Sequence, residues 1–216
     1  MMNSESGLAI LGGTFDPVHF GHLQSAIAVK ELLAVCQVKL VPSFIPPHKG
    51  LPHSTANERL SMLRIATHDN SGVVVDDREI SRQGVSYTVD TLASFRQEIG
   101  ENVSLYFILG IDSFCTLNEW VGWQELTGIA HLIVLARPFS LPQISSEIRA
   151  WESKKLVGNV NCMRGKPSGG VCHVELVQVD ISATEIREMI GSGIRPTGKM
   201  PESVIDYAFE HELYGS

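Results

Sequence analysis

Six short apolar runs alternate with helical patterns from one end of the chain to the other, and this alternation limits the fold more than any other feature. The runs are residues 7–11, 37–42 (QVKLVP), 73–77 (VVVDD), 103–109 (VSLYFIL), 131–136 (HLIVLA) and 173–179 (HVELVQV). Several are near-continuous in apolar residues, as expected for strands buried on both faces of a parallel sheet. Between them the pattern predicts helices in HFGHLQSAIAVKELLAV, TANERLSMLRIATH, SYTVDTLASFRQEI, the segment 112–128 and SLPQISSEIRAWESK. ISATEIREMI and PESVIDYAFEHELY follow the last run and predict a C-terminal helical segment over 182–216. The expected fold is α/β: a doubly wound, Rossmann-like, mostly parallel sheet of six strands with helices on both faces. The 216 residues show no internal repeat or linker, so residues 1–216 are expected to form one domain.

Composition narrows the class of ligand. No apolar run approaches the roughly 20 residues that span a bilayer. The opening MMNSESG has no basic patch and leads into an apolar stretch too short for a signal peptide. A cytoplasmic protein without a membrane partner is expected. A net charge of −7 argues against a nucleic-acid surface, which needs a basic stripe. A small anion can still bind where cations are locally concentrated. Cys36, Cys115, Cys162 and Cys172 form no C-x-x-C pair and have the wrong spacing for zinc, so they read as thiols. Residues 155–172 (KLVGNVNCMRGKPSGGVC) lack periodicity and read as a solvated loop or irregular hairpin.

In doubly wound sheets, ligands bind beyond the carboxyl ends of the strands. Five distinctive segments fall on that rim: GGTFDPVHFGH, SFIPPHKG, GIDSF, ARP and DISATEIR. In the first, Asp16-Pro17 reads as a helix start with Asp16 as N-cap, and a start near Gly21 is the alternative. Either way His19 and His22 lie at the helix N-terminus and, three apart, share a side. Unpaired backbone N–H groups and the helix dipole favour an anion there. Gly12, Gly13 and Gly21 remove side chains that would keep a ligand off the backbone, and imidazole N–H groups can donate to phosphate oxygens. A nucleotide triphosphate accounts for every unusual residue of the stretch.

The other segments carry two readings each. Ser182-x-x-Glu185 reads as a capping box with no further role. Thr184 and Arg187, however, share a helix face, and a guanidinium can fork onto phosphate oxygens. Lys49 follows two prolines and either reaches the triphosphate or is solvated. Asp112, after Gly110, either hydrogen-bonds nucleotide sugar or base, or caps a helix. Tyr87 and Thr88 follow Ser86 and open a predicted helix, so their N–H groups can meet a carboxylate. Trp120 either stacks on a ring or packs against Trp123. Two motifs are decoys. GIRPTGK (193–199) imitates a Walker loop, but Met200 cannot ligate magnesium and the stretch trails a helix. Gly12-Gly13 is not G-x-G-x-x-G, which removes the main support for hydride transfer.

GGTFDPVHFGH is similar to the H-x-G-H signature of the nucleotidylyltransferase superfamily, and Ile181-Ser182-Ala183-Thr184-Glu185-Ile186-Arg187 to its second hallmark, I-S-x-T-x-x-R. PPHK (46–49), SYTVDTL (86–92), GIDSF (110–114), Trp120, HLIVLARP (131–138) and MPESVIDYAFEHELY narrow the likeness. Over nearly its whole length the chain resembles the bacterial nicotinate-nucleotide adenylyltransferases. It departs in having Phe114 where leucine is usual, and in residues 155–172.

The resemblance implies adenylyl transfer from ATP to nicotinate mononucleotide in NAD biosynthesis, with His19, His22 and Arg187 catalytic. It implies ATP contacts from Gly12, Gly13, Thr14, Phe15, His19, His22, Lys49, Gly110, Asp112, Arg137, Ser182, Thr184 and Arg187. It implies contacts to nicotinate mononucleotide from Asp16, Lys49, Ser86, Tyr87, Thr88 and Trp120, the last stacked on the pyridine. Magnesium (Mg2+) is expected to arrive with ATP, because no carboxylate cage is visible. A homo-oligomer is compatible with this reading. The alternatives are adenylylation of nicotinamide mononucleotide or phosphopantetheine, or a non-catalytic nucleotide sensor. The SYT segment and Trp120 weigh against phosphopantetheine, and the intact hallmarks weigh against a sensor.

Overall fold

The computed structural model describes residues 7–47, 50–136, 143–176 and 181–215. Strands β1 (Leu8–Gly13), β2 (Val38–Pro42), β3 (Val73–Val75), β4 (Leu105–Gly110), β5 (His131–Ala136) and β6 (Val171–Glu175) form one sheet. Its order is β3-β2-β1-β4-β5-β6, and every pairing is parallel. The order reverses between β1 and β4. Connections leaving these two strands depart in opposite directions, which opens a crevice at their carboxyl ends.

The helices among the described residues are α1 (Phe20–Leu33), α2 (Ala56–Thr67), α3 (Arg78–Arg82), α4 (Thr88–Ile99), α5 (Ile111–Cys115), α6 (Leu126–Ile129), α7 (Ser146–Glu152), α8 (Ala183–Gly191) and α9 (Glu202–Glu210). The two-residue alternation of each strand sends its apolar side chains to both faces. Ala9 and Leu11 of β1, with Tyr106 and Ile108 of β4, pack against α1, α2, α8 and α9. Leu8 and Ile10, with Phe107 and Leu109, pack against α4, α5, α6 and α7. Truncating one of these buried leucines to alanine would cost about 2–5 kcal/mol. The site thus sits on a rigid frame. No described helix is long and apolar enough to cross a membrane.

Three expectations need correction. Residues 112–128 are not one helix: α5 and α6 are separated by two short 3-10 turns, at Leu117–Glu119 and Trp123–Glu125. Gly122 breaks the run with φ +67°, a conformation glycine adopts without Cβ strain. Residues 155–172 are not solvated throughout. Val160 and Met163 are buried, and Val157 N–H donates to Val171 O while Val171 N–H donates to Lys155 O. That pairing starts β6 at Val171, earlier than expected; residues 177–180 of the expected strand lie outside the described residues. Finally, α3 forms where no helix is expected.

Candidate active site

A cleft of about 260 Å³ opens beyond β1, β2 and β4, where the strand order reverses. Gly12, Gly13 and Thr14 form one wall, Ser86, Tyr87 and Thr88 another, and Gly110 and Trp120 a third. A Cβ on Gly12 would come within 3.2 Å of the Phe107 ring, and one on Gly13 within 3.1 Å of Phe15. A side chain at either position would press on a neighbouring ring as well as fill the open space the glycines line. A Cβ on Gly110 would meet nothing within 4 Å, so this position faces the empty part of the cleft.

The second wall ends in a helix N-terminus. Tyr87 is extended and precedes α4, and no side chain caps the helix there. The first N–H groups of a helix lack intrahelical acceptors, so this end of α4 offers donors to an anion. Ser86 does a different job. Its N–H donates to Ile45 O (2.9 Å), and its Oγ accepts from Phe44 N–H (2.8 Å), stitching the segment after β2 to the segment before α4. Trp120 stands edge-on to Phe107, with ring centroids 6.3 Å apart, and lines the cleft. Trp123 packs on Trp151 at 5.1 Å.

Beside the cleft, His19 is the N-cap of α1, in place of Asp16. His22 lies in the first turn, and its Nδ1 accepts from the His19 N–H at 3.3 Å. The two imidazoles stack with centroids 3.7 Å apart, and the His22 ring stands edge-on to Phe15 at 4.9 Å. A neutral His22 with Nδ1 as acceptor carries its proton on Nε2, leaving that nitrogen a donor. The α1 terminus is less open than expected, because Phe20 N–H donates to Lys199 O at 2.9 Å. The decoy GIRPTGK segment supplies this carbonyl, and Lys199 Nζ pairs with Glu185 at 2.9 Å.

The second hallmark reaches the first. Arg187, on α8, donates from Nη1 to Asp16 O at 2.8 Å and from Nη2 to Thr184 Oγ1 at 3.2 Å. Ser182 caps α8, but its Oγ accepts from Thr184 N–H, and Glu185 faces Lys199. The expected capping box is therefore not formed.

Asp16 is buried, and its carboxylate is held by this chain's own donors. Ser54 Oγ donates to it at 2.6 Å, His53 N–H at 2.7 Å and Tyr214 Oη at 2.9 Å. Burial alone would raise its pKa, but these hydrogen bonds and the nearby Arg187 hold the carboxyl below its ordinary value. The knot fixes a sharp turn. Phe15 has φ +51°, which costs a non-glycine residue about 1 kcal/mol. Its ring is buried beside His22.

Asp112 is exposed in the first turn of α5, whose N-cap is Gly110, so the capping alternative does not hold. Lys49 and Arg137 lie outside the described residues. Among the described residues, no three His, Cys, Asp or Glu side chains are grouped to hold a metal ion.

Two buried residues, one behind the wall and one in it, escaped sequence reasoning. Arg59 is fully buried and donates to Thr14 O at 2.7 Å and Phe44 O at 3.2 Å. Burial pulls its pKa down, opposed by Asp16, Tyr214 and Glu79. Its signal was available: Arg59 shares the helical phase of the buried Met62, Leu63 and Ala66. Glu79, on α3, is buried in the cleft wall. Burial pushes its carboxyl above the ordinary range, against hydrogen bonds from Thr91 and Ser86 and the charges of Arg82 and Arg78.

A family model described as cytidylyltransferase-like matches residues 10–189. Relatives named "Probable nicotinate-nucleotide adenylyltransferase" are 37% identical in Aeromonas salmonicida and 39% in Marinobacter nauticus, each over 96% of this chain and 96% of the relative. One from Pseudomonas syringae pv. tomato is 40% identical over 96% of this chain and 93% of its own. The fold is similar to that of Plasmodium falciparum nicotinic acid mononucleotide adenylyltransferase. Its structure with NaAD gives a TM-score of 0.74 at 20% identity, covering 97% of each chain. Its structure with APC gives 0.71 over the same shares.

Proposed function

Because this chain belongs to the nicotinate-nucleotide adenylyltransferase family, we propose that it transfers the adenylyl group of ATP to nicotinate mononucleotide, giving nicotinate adenine dinucleotide and pyrophosphate. The observation that carries this reading is the meeting of two distant helix beginnings beside one cleft. Arg187 of α8 reaches the Asp16 carbonyl, three residues before His19, where α1 starts.

An oxygen of the acceptor's 5′-phosphate attacks the α-phosphorus of ATP. The new P–O bond forms as the bond to the bridging oxygen breaks, and that electron pair leaves with pyrophosphate. A phosphate monoester has its second pKa at about 6, so the nucleophile is already largely deprotonated at neutral pH. The protein's task is alignment and neutralisation of the leaving group. His22 donates from Nε2, His19 packs against it, and Arg187 brings fixed positive charge to the same edge. Magnesium enters as part of the substrate, MgATP. At the other wall, the Tyr87 and Thr88 N–H groups at the α4 terminus receive the nicotinate carboxylate, and Trp120 meets the pyridine ring.

The test is pyrophosphate release with ATP and magnesium on adding each acceptor in turn. Release with nicotinate mononucleotide well above that with nicotinamide mononucleotide is expected. Release only with phosphopantetheine would move the acceptor, and no release with any acceptor would overturn catalysis in favour of a nucleotide sensor.

A further inference from the structure

The acceptor wall contains a buried carboxyl with no part in the chemistry above. Glu79 is 7% exposed, lines the cleft and lies on the five-residue α3. Thr91 Oγ1 donates to Glu79 Oε1 at 2.5 Å, and Ser86 lines the same wall of the cleft. Thr91 Oγ1 also accepts from Arg82 Nη2 at 3.2 Å, which commits its proton to Glu79.

These two hydroxyl residues bracket the donor pair. Ser86 immediately precedes Tyr87, and Thr91 N–H closes the first turn of α4 on Tyr87 O at 3.2 Å. No side chain caps α4, so Tyr87 and Thr88 take only backbone support from their own helix. The side-chain support comes from behind. We propose that Glu79 is a positioning residue for acceptor recognition: by anchoring Thr91 beside Ser86, it fixes the direction of the Tyr87 and Thr88 N–H groups and so sets the preference for a ring carboxylate over an amide. The inference rests on the acceptor reading given above.

The geometry makes the effect local. Ser86 passes the constraint to Phe44 through its accepted hydrogen bond at 2.8 Å, so the clamp reaches the segment after β2. The His19, His22 and Arg187 group lies beside the other wall and has its own supports. Loss of the clamp should therefore divide acceptor binding from ATP binding.

The test uses the full chain with Glu79→Leu and Glu79→Gln. Unfolding midpoints establish that each variant is folded, and KM for each substrate and the acid-to-amide ratio of kcat/KM are then measured. Glu79→Leu is expected to raise KM for nicotinate mononucleotide about tenfold and lower the acid-to-amide ratio about as much, with KM for ATP changed by less than about twofold. Glu79→Gln keeps an acceptor for Thr91 and should restore most of both. A folded Glu79→Leu with the wild-type ratio, or with both KM values raised together, would overturn the proposal. Should Glu79→Leu not fold, Ser86→Ala and Thr91→Val remove the two hydroxyls separately. Each is expected to lower the ratio, and the wild-type ratio in both would sink the clamp. Wild-type protein without activity on nicotinate mononucleotide would instead fail the underlying reading, so the two failures are distinct.

Discussion

At the scale of single residues, the site depends on which nitrogen of His22 is committed. Its Nδ1 accepts from the His19 backbone N–H, which leaves Nε2–H as the ring's remaining donor. A preorganised donor aimed at developing charge is worth roughly a hundred- to a thousandfold in rate, so His22→Ala should lower kcat by about that factor. His22→Ala removes the Nδ1 that accepts from the N-cap N–H, but α1 keeps its buried face of Leu23, Ala26, Val29 and Leu33. The stability cost should therefore be about 1 kcal/mol, with the fold intact, and a folded variant with wild-type turnover would remove His22 from the mechanism. The histidines were legible because two imidazoles beside glycines are chemically conspicuous. The role of Asp16 was not, since the donors that occupy its carboxylate come from Ser54 and Tyr214, far away along the chain.

At the scale of elements, α3 has no folding strength of its own; five residues lie far below the length at which a helix is stable alone. It is fixed by charge. Asp76, just past β3, accepts from Arg78 Nε at 2.7 Å and Lys39 Nζ at 3.0 Å, and Arg78 reaches Glu98 of α4 at 2.7 Å. The guanidinium also lies over the Phe95 ring. This network holds α3 between the sheet and α4, with Glu79 facing the cleft. Burial would raise the Asp76 pKa, but the hydrogen bonds and charges of Arg78 and Lys39 hold it below its ordinary 3.8. A carboxyl lowered on folding contributes stability that is complete above 3.8 and is lost as pH falls through the folded value. Asp76→Asn should therefore cost about 1–2 kcal/mol near neutrality, less as the pH drops below that point. Denaturant unfolding across pH 2–7 checks this, and a pH-independent difference would contradict it. The central strands β1, β4 and β5 were legible as near-continuous apolar runs because both their faces are covered. The edge strands β3 and β6 leave Val74 and His173 exposed and were legible from their alternation with helices. Helix α3 was not, because it has no periodic apolar face and is held by charges that its own sequence does not pair.

At the scale of the whole molecule, the parallel sheet brings residues 12–22 and residues 182–214 to one place. Strand β1 carries the first hallmark at the middle of the sheet, and the chain after β6 returns across the same face as α8 and α9. The last turn then closes on the site. Leu213 is buried, and Tyr214 carries its hydroxyl to Asp16 at 2.9 Å and to within 3.2 Å of Ser54 Oγ. Burial and the Asp16 charge push that phenol far above its ordinary 10.0, so it remains a donor at any pH the enzyme meets. The approach is close: a Cβ on Gly191 would lie 2.8 Å from the Tyr214 carbonyl oxygen. The tail therefore locks the turn between β1 and α1 to which Arg187 also bonds. Tyr214→Phe keeps the ring and removes one donor from a buried carboxylate. Asp16 retains Ser54 and the His53 N–H, so the cost should be about 1 kcal/mol, or about 2–4 °C in the unfolding midpoint. Because Asp16 presents its carbonyl to Arg187, the loosened turn should raise KM for ATP several-fold, more than KM for the acceptor. Equal changes in the two KM values would show the tail to be a structural clasp alone, acting on the fold and not on the ATP half of the site.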